Sequence, residues 1–473
     1  MQANRYRSLF LLAWLLAWAG SAAAQTYVED PFAGGELAGR GLDQADQWGL
    51  ERIGLDAELR RELAGDQTRE SIIVAVIDTG LDIDHPDFSR DNLWLNAREE
   101  PNGLDDDNNG YVDDFYGWDF VDKDNDPTDW VGHGTVVAGI IAANTGNGIG
   151  IAGVDSKARI MPLRALNMIG RGYSTRIAQA IYYAVDNGAR IVNLSMAIED
   201  VSVHERTAIR YAQSRGVLVV VAAGNNAKDA ANFTPAGIPG VVTVSATDRE
   251  DQFAGFSNWG NAIDITAPGV DILSLRAAGT DLMVTATPDE TRPLQYAVGP
   301  RTQYYRNTGT SFSAPIVSGV AAVVWSRRPA LTADEVARML LQSAEDVNSP
   351  GTDQYTGYGL VNLRAALAAD PEFFVAAGID RVEVVMDGQT SVVRVYGTAA
   401  ADRFDGAELQ IGRGQDPTDW QPLGRIEAAT QHGVLGDIPT PRLQGATVWT
   451  IRVVARHKSG REREGRFLLN IGG

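Results

Sequence analysis

Three short stretches carry residues whose types could do chemistry together. "VIDTG" (Val76–Gly80) offers an aspartate, "GHGTVVAG" (Gly132–Gly139) a histidine and "GTSFSAP" (Gly309–Pro315) a serine. A serine hydroxyl attacks a carbonyl poorly unless a base takes its proton. The usual base is histidine, and its cation needs a carboxylate to orient and stabilise it. Asp78, His133 and Ser311 could fill those roles. Each has a glycine within two residues, which lets a substrate or a neighbouring loop come close. Of the 5 histidines in the chain, only His133 lies in such a setting. Taken singly, each residue has a plainer reading. Asp78 would be a turn or cap residue, His133 a structural histidine, and Ser311 a helix N-cap with Pro315 in the first turn. Their joint occurrence in one domain, at strand and helix ends, favours the catalytic reading.

These residues need a scaffold. Over residues 43–370, short apolar, β-branched runs ("SIIVAVID", "ARIMPLRAL", "ARIVNLSM", "VLVVVAAGN", "VVTVSAT") alternate with helical stretches. In "STRIAQAIYYAVDNGA" and "HERTAIRYAQSRG" the apolar residues recur at steps of three and four. Continuous apolar strands separated by helices predict an α/β fold, a doubly wound parallel sheet covered on both faces. Ligands in such sheets sit beyond the carboxyl ends of the strands, here Asp78, Ser195 and Asn225. From about residue 375 to 473 the period changes to two, in "RVEVVM", "SVVRVYG", "AELQIGRG" and "ATVWTIRVVARHKSGREREGRFLLNI". This predicts a small antiparallel β-sandwich of the fibronectin-III or immunoglobulin kind, its last two strands joined at "HKSG".

"VAVIDTGLDIDHPDF", "GHGTVVAGIIAA" and "GTSFSAPIVSGVAA" resemble the aspartate, histidine and serine motifs of the subtilisin-like serine proteases (subtilases, peptidase family S8), in that family's chain order. The resemblance runs over roughly residues 43–369. It implies that Asp78 orients His133, that His133 is base and then acid, and that Ser311 is the nucleophile. "AAGNN" resembles the family's oxyanion strand end, which gives Asn225 the role of side-chain donor beside the Ser311 backbone N–H. "NLSMA" resembles the wall of its first specificity pocket, implicating Ser195, Met196 and Ala197. "IGRG" resembles its peptide-pairing edge strand, implicating Gly170, Arg171 and Gly172. The family more often has glycine where Ala197 stands, so a preference for large side chains at the cleavage position does not carry over.

A second signal is "NGLDDDNNGYVDD" (Asn102–Asp114). Asp105, Asp107 and Asn109 alternate, Gly110 permits a sharp turn, and Tyr111 can offer its carbonyl. That is the first part of a Ca2+ loop built from hard oxygen ligands. Tyr116 stands where the closing glutamate is expected, so Asp113 or Asp114 would supply the last carboxylate. The family resemblance implies a further calcium position at Asp87 and Asn147.

Composition narrows the partners. Net charge is −20, which argues against nucleic acid and anionic membranes as partners. The acidic excess lies upstream of Glu372; from there on, 12 basic residues face 13 acidic ones. Residues 1–24 combine Arg5 and Arg7, an apolar run and "SAAA", a secretory signal peptide that predicts export to the periplasm or medium. The chain has no cysteine, so core packing and bound metal must stabilise an exported protein. Only the lead-in over 25–42 separates this leader from the catalytic region, leaving no room for the folded pro-region usual in the family. The expectation is a monomeric secreted endopeptidase acting on proteins or peptides, with no membrane span. The alternative is a binding or scaffold protein that retains the protease fold. A lipase or esterase is disfavoured because the G-x-S-x-G elbow is absent and the order of the three residues is wrong.

Overall fold

The computed structural model describes residues 27–33, 47–200, 202–278, 280, 297–298, 303–388 and 390–471. The expected signal peptide, most of the lead-in and the middle of the 276–307 segment lie outside the described residues.

Seven strands form one parallel sheet: β1 (Ile73–Asp78), β2 (Trp118–Asp119), β3 (Arg159–Arg164), β4 (Ile191–Leu194), β5 (Leu218–Ala222), β6 (Val242–Thr247) and β7 (Ile265–Pro268). Their order is β2-β3-β1-β4-β5-β6-β7, and every pairing is parallel. The five apolar runs of the sequence became β1 and β3 to β6. The edge strands β2 and β7, only 2 and 4 residues long, carried no pattern to read.

Side chains alternate between the faces of each strand, and both faces are covered. Val74, Val76, Ile160 and Val220 share one core with α1 (Trp48–Arg52), α2 (Ala57–Gly65), α3 (His133–Ala142) and α6 (Thr310–Arg327). Ala75, Ile77, Met161 and Val219 share the other with α4 (Ser174–Asp186) and α5 (Val203–Ser214). Helix α6 is apolar on every side and correspondingly buried on every side. No helix among the described residues is long and apolar enough to cross a membrane. Past α6 come α7 (Ala333–Gln342), held by a Thr332–Glu335 capping box, and α8 (Leu363–Ala368). Ahead of α6, β8 (Ile272–Leu275), β9 (Ala297–Val298) and β10 (Tyr304–Asn307) form a small antiparallel sheet.

The C-terminal region is two antiparallel sheets. One is β11 (Val375–Asp387), β12 (Thr390–Ala401) and β15 (Thr430–Pro439), in the order β11-β12-β15. The other is β13 (Phe404–Arg413), β14 (Gln421–Ile426), β16 (Val448–His457) and β17 (Glu462–Asn470), in the order β14-β13-β16-β17. Between them lies a separate core that includes Val395, Leu409, Trp449 and Ile451. The segment after α7 ties this region to the parallel sheet. Thr266 of β7 donates to Gly359 and accepts from Val361, while Thr352 donates to Glu464 and accepts from Arg466 of β17. One loop therefore pairs with exposed strand edges of both regions.

Candidate active site

Strand β1 ends at Asp78, whose carboxylate is fully buried. The His133 Nδ1 donates to it, 2.8 Å from Oδ1 and 2.9 Å from Oδ2. Helix α3 starts at His133, and its first turn is fixed by two residues the sequence reading did not single out. Buried Asp129 accepts from the backbone N–H of Val131, Gly132 and Thr135 and from the Thr135 hydroxyl, at 2.7–2.9 Å. The Thr79 hydroxyl accepts from Gly134 N–H at 2.8 Å. Two glycines let these pieces close. A Cβ on Gly134 would lie 2.2 Å from the Gly80 carbonyl oxygen, and one on Gly80 would lie 2.4 Å from that of Pro127. An aspartate four residues before "HGT" is the signal that could have pointed to Asp129, since it is a usual capping residue.

The His133 side chain is 19% exposed, so its free ring edge remains reachable. Burial pulls the imidazolium pKa down, but the charge and hydrogen bond of Asp78, with the charge of Asp129, outweigh that. The net shift is upward from the ordinary value.

Ser311 lies in the first turn of α6 and is held by Ser195, just past the end of β4. The Ser311 hydroxyl donates to the Ser195 carbonyl at 3.1 Å. The Ser195 hydroxyl receives from Asn193 Nδ2 at 2.9 Å, and Asn193 Oδ1 receives from Ser318 one helical stretch further on. No hydrogen bond joins Ser311 to His133 among the described residues. The ring of His133 packs on Phe312, centroids 5.5 Å apart, and His133 and Ser311 line one groove. Rotation about the Ser311 Cα–Cβ bond is what a direct contact requires, and catalytic hydrogen bonds commonly tighten only when substrate is bound.

Asn225 follows β5 across the same groove. Its Oδ1 is occupied, accepting from Thr310 N–H and from the Thr310 hydroxyl, both at 2.9 Å. The amide orientation is thereby fixed, and Nδ2 keeps its donors free among the described residues. The groove has a volume of about 1010 Å³; Gly170, Arg171 and Gly172 line one side, and Ser195, Met196 and Ala197 another. No described residue of the 276–307 segment lines it. That segment's Tyr304 hydroxyl donates to Asp87 at 3.2 Å.

The acidic loop is arranged around backbone N–H groups. Asp105 and Asp107 come together with Glu99, their carboxylate oxygens within 4.8 Å of one another. Glu99, which the sequence reading passed over, lies just ahead of the loop in "REEP" and accepts from Asp106, Asp107 and Asp113 N–H. Asp113 and Asp114 are not in that group. Asp113 accepts from Asn102 and Gly103 N–H, and buried Asp114 accepts from Asn96, Asn109 and Tyr183. The Tyr111 ring packs edge-on against Trp118 and Tyr183. Three convergent carboxylates, one of them paired with Arg98, are a hard-oxygen set that fits Ca2+.

Asp87 and Asn147 do meet: Asn147 Nδ2 donates to Asp87 at 2.9 Å. A third residue joins them, Asp30, which accepts from the N–H groups of Gly146, Asn147 and Gly148 at 2.7–3.1 Å. Both carboxylates are fully buried, and neither pairs with a cationic side chain among the described residues. Burial pushes Asp30 up to about 6 and Asp87 up to about 7. Buried carboxylates without a counter-ion fit a cation on chemical grounds.

The chain is 38% identical over 289 residues to the thermophilic serine proteinase of Bacillus sp. (strain AK1), covering 61% of this chain and 60% of that one. It is 36% identical over 348 residues to fervidolysin of Fervidobacterium pennivorans, covering 72% of this chain and 46% of that one. The chain thus spans about half to three fifths of the length of these two relatives. Thermitase of Thermoactinomyces vulgaris is 33% identical over 294 residues, covering 62% of this chain and 88% of its own length. A solved structure of a protease from Pseudoalteromonas arctica PAMC 21717 is similar with a TM-score of 0.53 at 30% identity, covering 68% of this chain and 96% of that one. The family model of the subtilases matches residues 69–359. That match covers more than half of the chain and contains all three motifs whose side chains line the groove, so this chain belongs to the subtilase family.

Proposed function

We propose that the chain is a secreted serine endopeptidase that cleaves protein or peptide substrates through an acyl-enzyme. The observation that carries this is the buried Asp78–His133 pair opening into the groove that also holds Ser311 and Asn225. Ser311 Oγ attacks the scissile carbonyl while His133 Nε2 takes its proton, and Asp78 stabilises the imidazolium so formed. Asn225 Nδ2 and the Ser311 N–H donate to the carbonyl oxygen as it becomes an oxyanion. His133 then returns the proton to the leaving amine, and water repeats the sequence on the acyl group. Gly170–Gly172 would pair with the extended substrate backbone.

Ca2+ is a structural ion in this reading, neutralising buried carboxylates. Glu99, Asp105 and Asp107 would hold one ion, and Asp30, Asp87 and Asn147 another, with Asn109, Tyr111, Asp113 and Asp114 shaping the first loop. The leader at 1–24 supports export to the medium or periplasm, and the protein is read as a monomer. The test is labelling by a fluorophosphonate together with hydrolysis of casein. Ser311→Ala should abolish both and leave the circular dichroism spectrum unchanged; in subtilisin itself such a loss is about 10⁶-fold in kcat. A folded wild-type chain that neither labels nor hydrolyses would favour a non-catalytic scaffold instead.

A further inference from the structure

Strands β4 and β5 pair as far as Leu194 and Val221 and then separate. Ala223 N–H turns to the carbonyl of Val244 in β6, and the segment after β4 turns towards Ser311. The gap so opened is a slot that shares its lining with Asn225 and Ser311. The segment after β4 is tied back where Ile198 and Thr234 exchange two backbone hydrogen bonds, each 2.9 Å, and the neighbouring buried Phe233 belongs to the lining. The slot is also pinched between its walls. A Cβ built on Gly224 would lie 2.9 Å from the Ala197 methyl, so that methyl stands within about 4.5 Å of the Gly224 Cα. An aromatic ring needs about 3.5 Å of clearance on each face, roughly 7 Å between walls, and a branched aliphatic chain needs nearly as much. A methyl or hydroxymethyl group can stop short of the pinch.

We propose that this slot receives the side chain on the acyl side of the scissile bond and selects small residues, alanine and serine, with the Ala197 methyl as the element that excludes large ones. The proposal rests on the catalytic reading above: Ser311 and Asn225 at the mouth hold the carbonyl whose own side chain enters the slot. Its neighbours suit an uncharged group. Besides the mouth, the lining at and past the ends of β4 and β5 includes Met196, Ala197, Ala222, Gly224 and Phe233, and its one carboxylate there, Glu199, is already paired with Lys228.

The experiment compares peptide p-nitroanilides that differ only in the residue before the anilide. The wild-type enzyme should show kcat/KM for alanine at least ten times that for phenylalanine or leucine, the size of discrimination that a tight pocket gives. Sites cut in denatured casein, mapped by mass spectrometry, should follow small residues. Ala197→Gly should move the phenylalanine-to-alanine ratio upward by ten-fold or more. Ala197→Val should move it no higher while cutting turnover of the alanine substrate, and fluorophosphonate labelling checks that each variant is folded. Wild-type enzyme that cleaves after phenylalanine as well as after alanine would overturn the proposal while leaving the catalytic reading intact. So would an Ala197→Gly ratio equal to that of wild type. Absence of both turnover and labelling in the folded wild-type chain would overturn the catalytic reading and this proposal with it.

Discussion

The Ser195 hydroxyl donates to the carbonyl oxygen of Ser311 at 2.8 Å. In an uninterrupted helix that carbonyl would receive the N–H of residue 315, but proline has none to give. Pro315 therefore frees the carbonyl of the candidate nucleophile, and a side chain from the neighbouring strand end takes it. The return bond, from the Ser311 hydroxyl to the Ser195 carbonyl, completes a reciprocal pair between strand and helix. Ser195→Ala should leave a part-buried carbonyl unpaired and cost about 1–2 kcal/mol. Steady-state kinetics should show kcat/KM reduced roughly 5- to 30-fold. An unchanged value would mean that the serine turn holds its place without Ser195.

Asn225→Ala should reduce kcat by about 10²–10³ with a smaller effect on KM, which is the size this change has in subtilisin itself. The Thr310 contacts that fix Asn225 predict a second outcome. Thr310→Val removes the hydroxyl donor and should reproduce part of the loss in kcat, because the amide then loses one of the two bonds that orient it.

Activity should titrate with His133. In the proposed mechanism the neutral ring is the base, so kcat/KM should rise with pH through a midpoint above the ordinary histidine value of 6.5. Asp129 contributes to that upward shift and also holds the start of α3. Asp129→Asn removes its charge, so the acid limb should move to lower pH while kcat falls. A purely structural Asp129 would reduce kcat and Tm without moving the limb, and a pH–rate profile separates the two.

Removing calcium with a chelator should lower Tm by about 5–15 °C, the range expected for loss of a tightly held ion. Its pH dependence has a definite sign. The Asp30 and Asp87 carboxyls are raised on folding from 3.8 to about 6 and about 7. Their titration alone favours the folded state below about pH 4, and that contribution is lost as pH rises through 6–7. A calcium ion held there, as proposed, would oppose the loss, so the difference in Tm between calcium and chelator should be larger at pH 8 than at pH 5. Calorimetry at the two pH values checks this, and equal differences would count against an ion at Asp30 and Asp87.

Ending the chain after Ala369 should destabilise the catalytic region without changing the groove. The loop over 345–361 loses the Glu464 and Arg466 backbone bonds at Thr352, and Tyr358 loses the Arg463 guanidinium, 4.5 Å from its ring centroid. A few such contacts are worth about 2–4 kcal/mol together, so Tm should fall by roughly 5 °C or more. The ratio of rates on two peptide substrates should stay the same.

The order of residues was enough to mark out the sheet interior and the candidate triad. Buried parallel strands must be apolar on both faces, so β1, β3, β4, β5 and β6 stand out as uninterrupted runs, and the aspartate, histidine and serine motifs can be read because close approach demands glycine beside each. It determined Asp105 and Asp107 as partners for the same reason of local spacing. Tertiary structure alone decided the rest. Glu99 joins those two aspartates, Asp30 joins Asp87 from a segment 57 residues away in the chain, and Phe233 joins the lining of a slot that begins past β4. None of these has a local pattern, because each exists only where separate segments converge. The pinch between Ala197 and Gly224 is of the same kind: a single methyl acquires meaning from the wall it faces, and that distance is set by the divergence of β4 and β5.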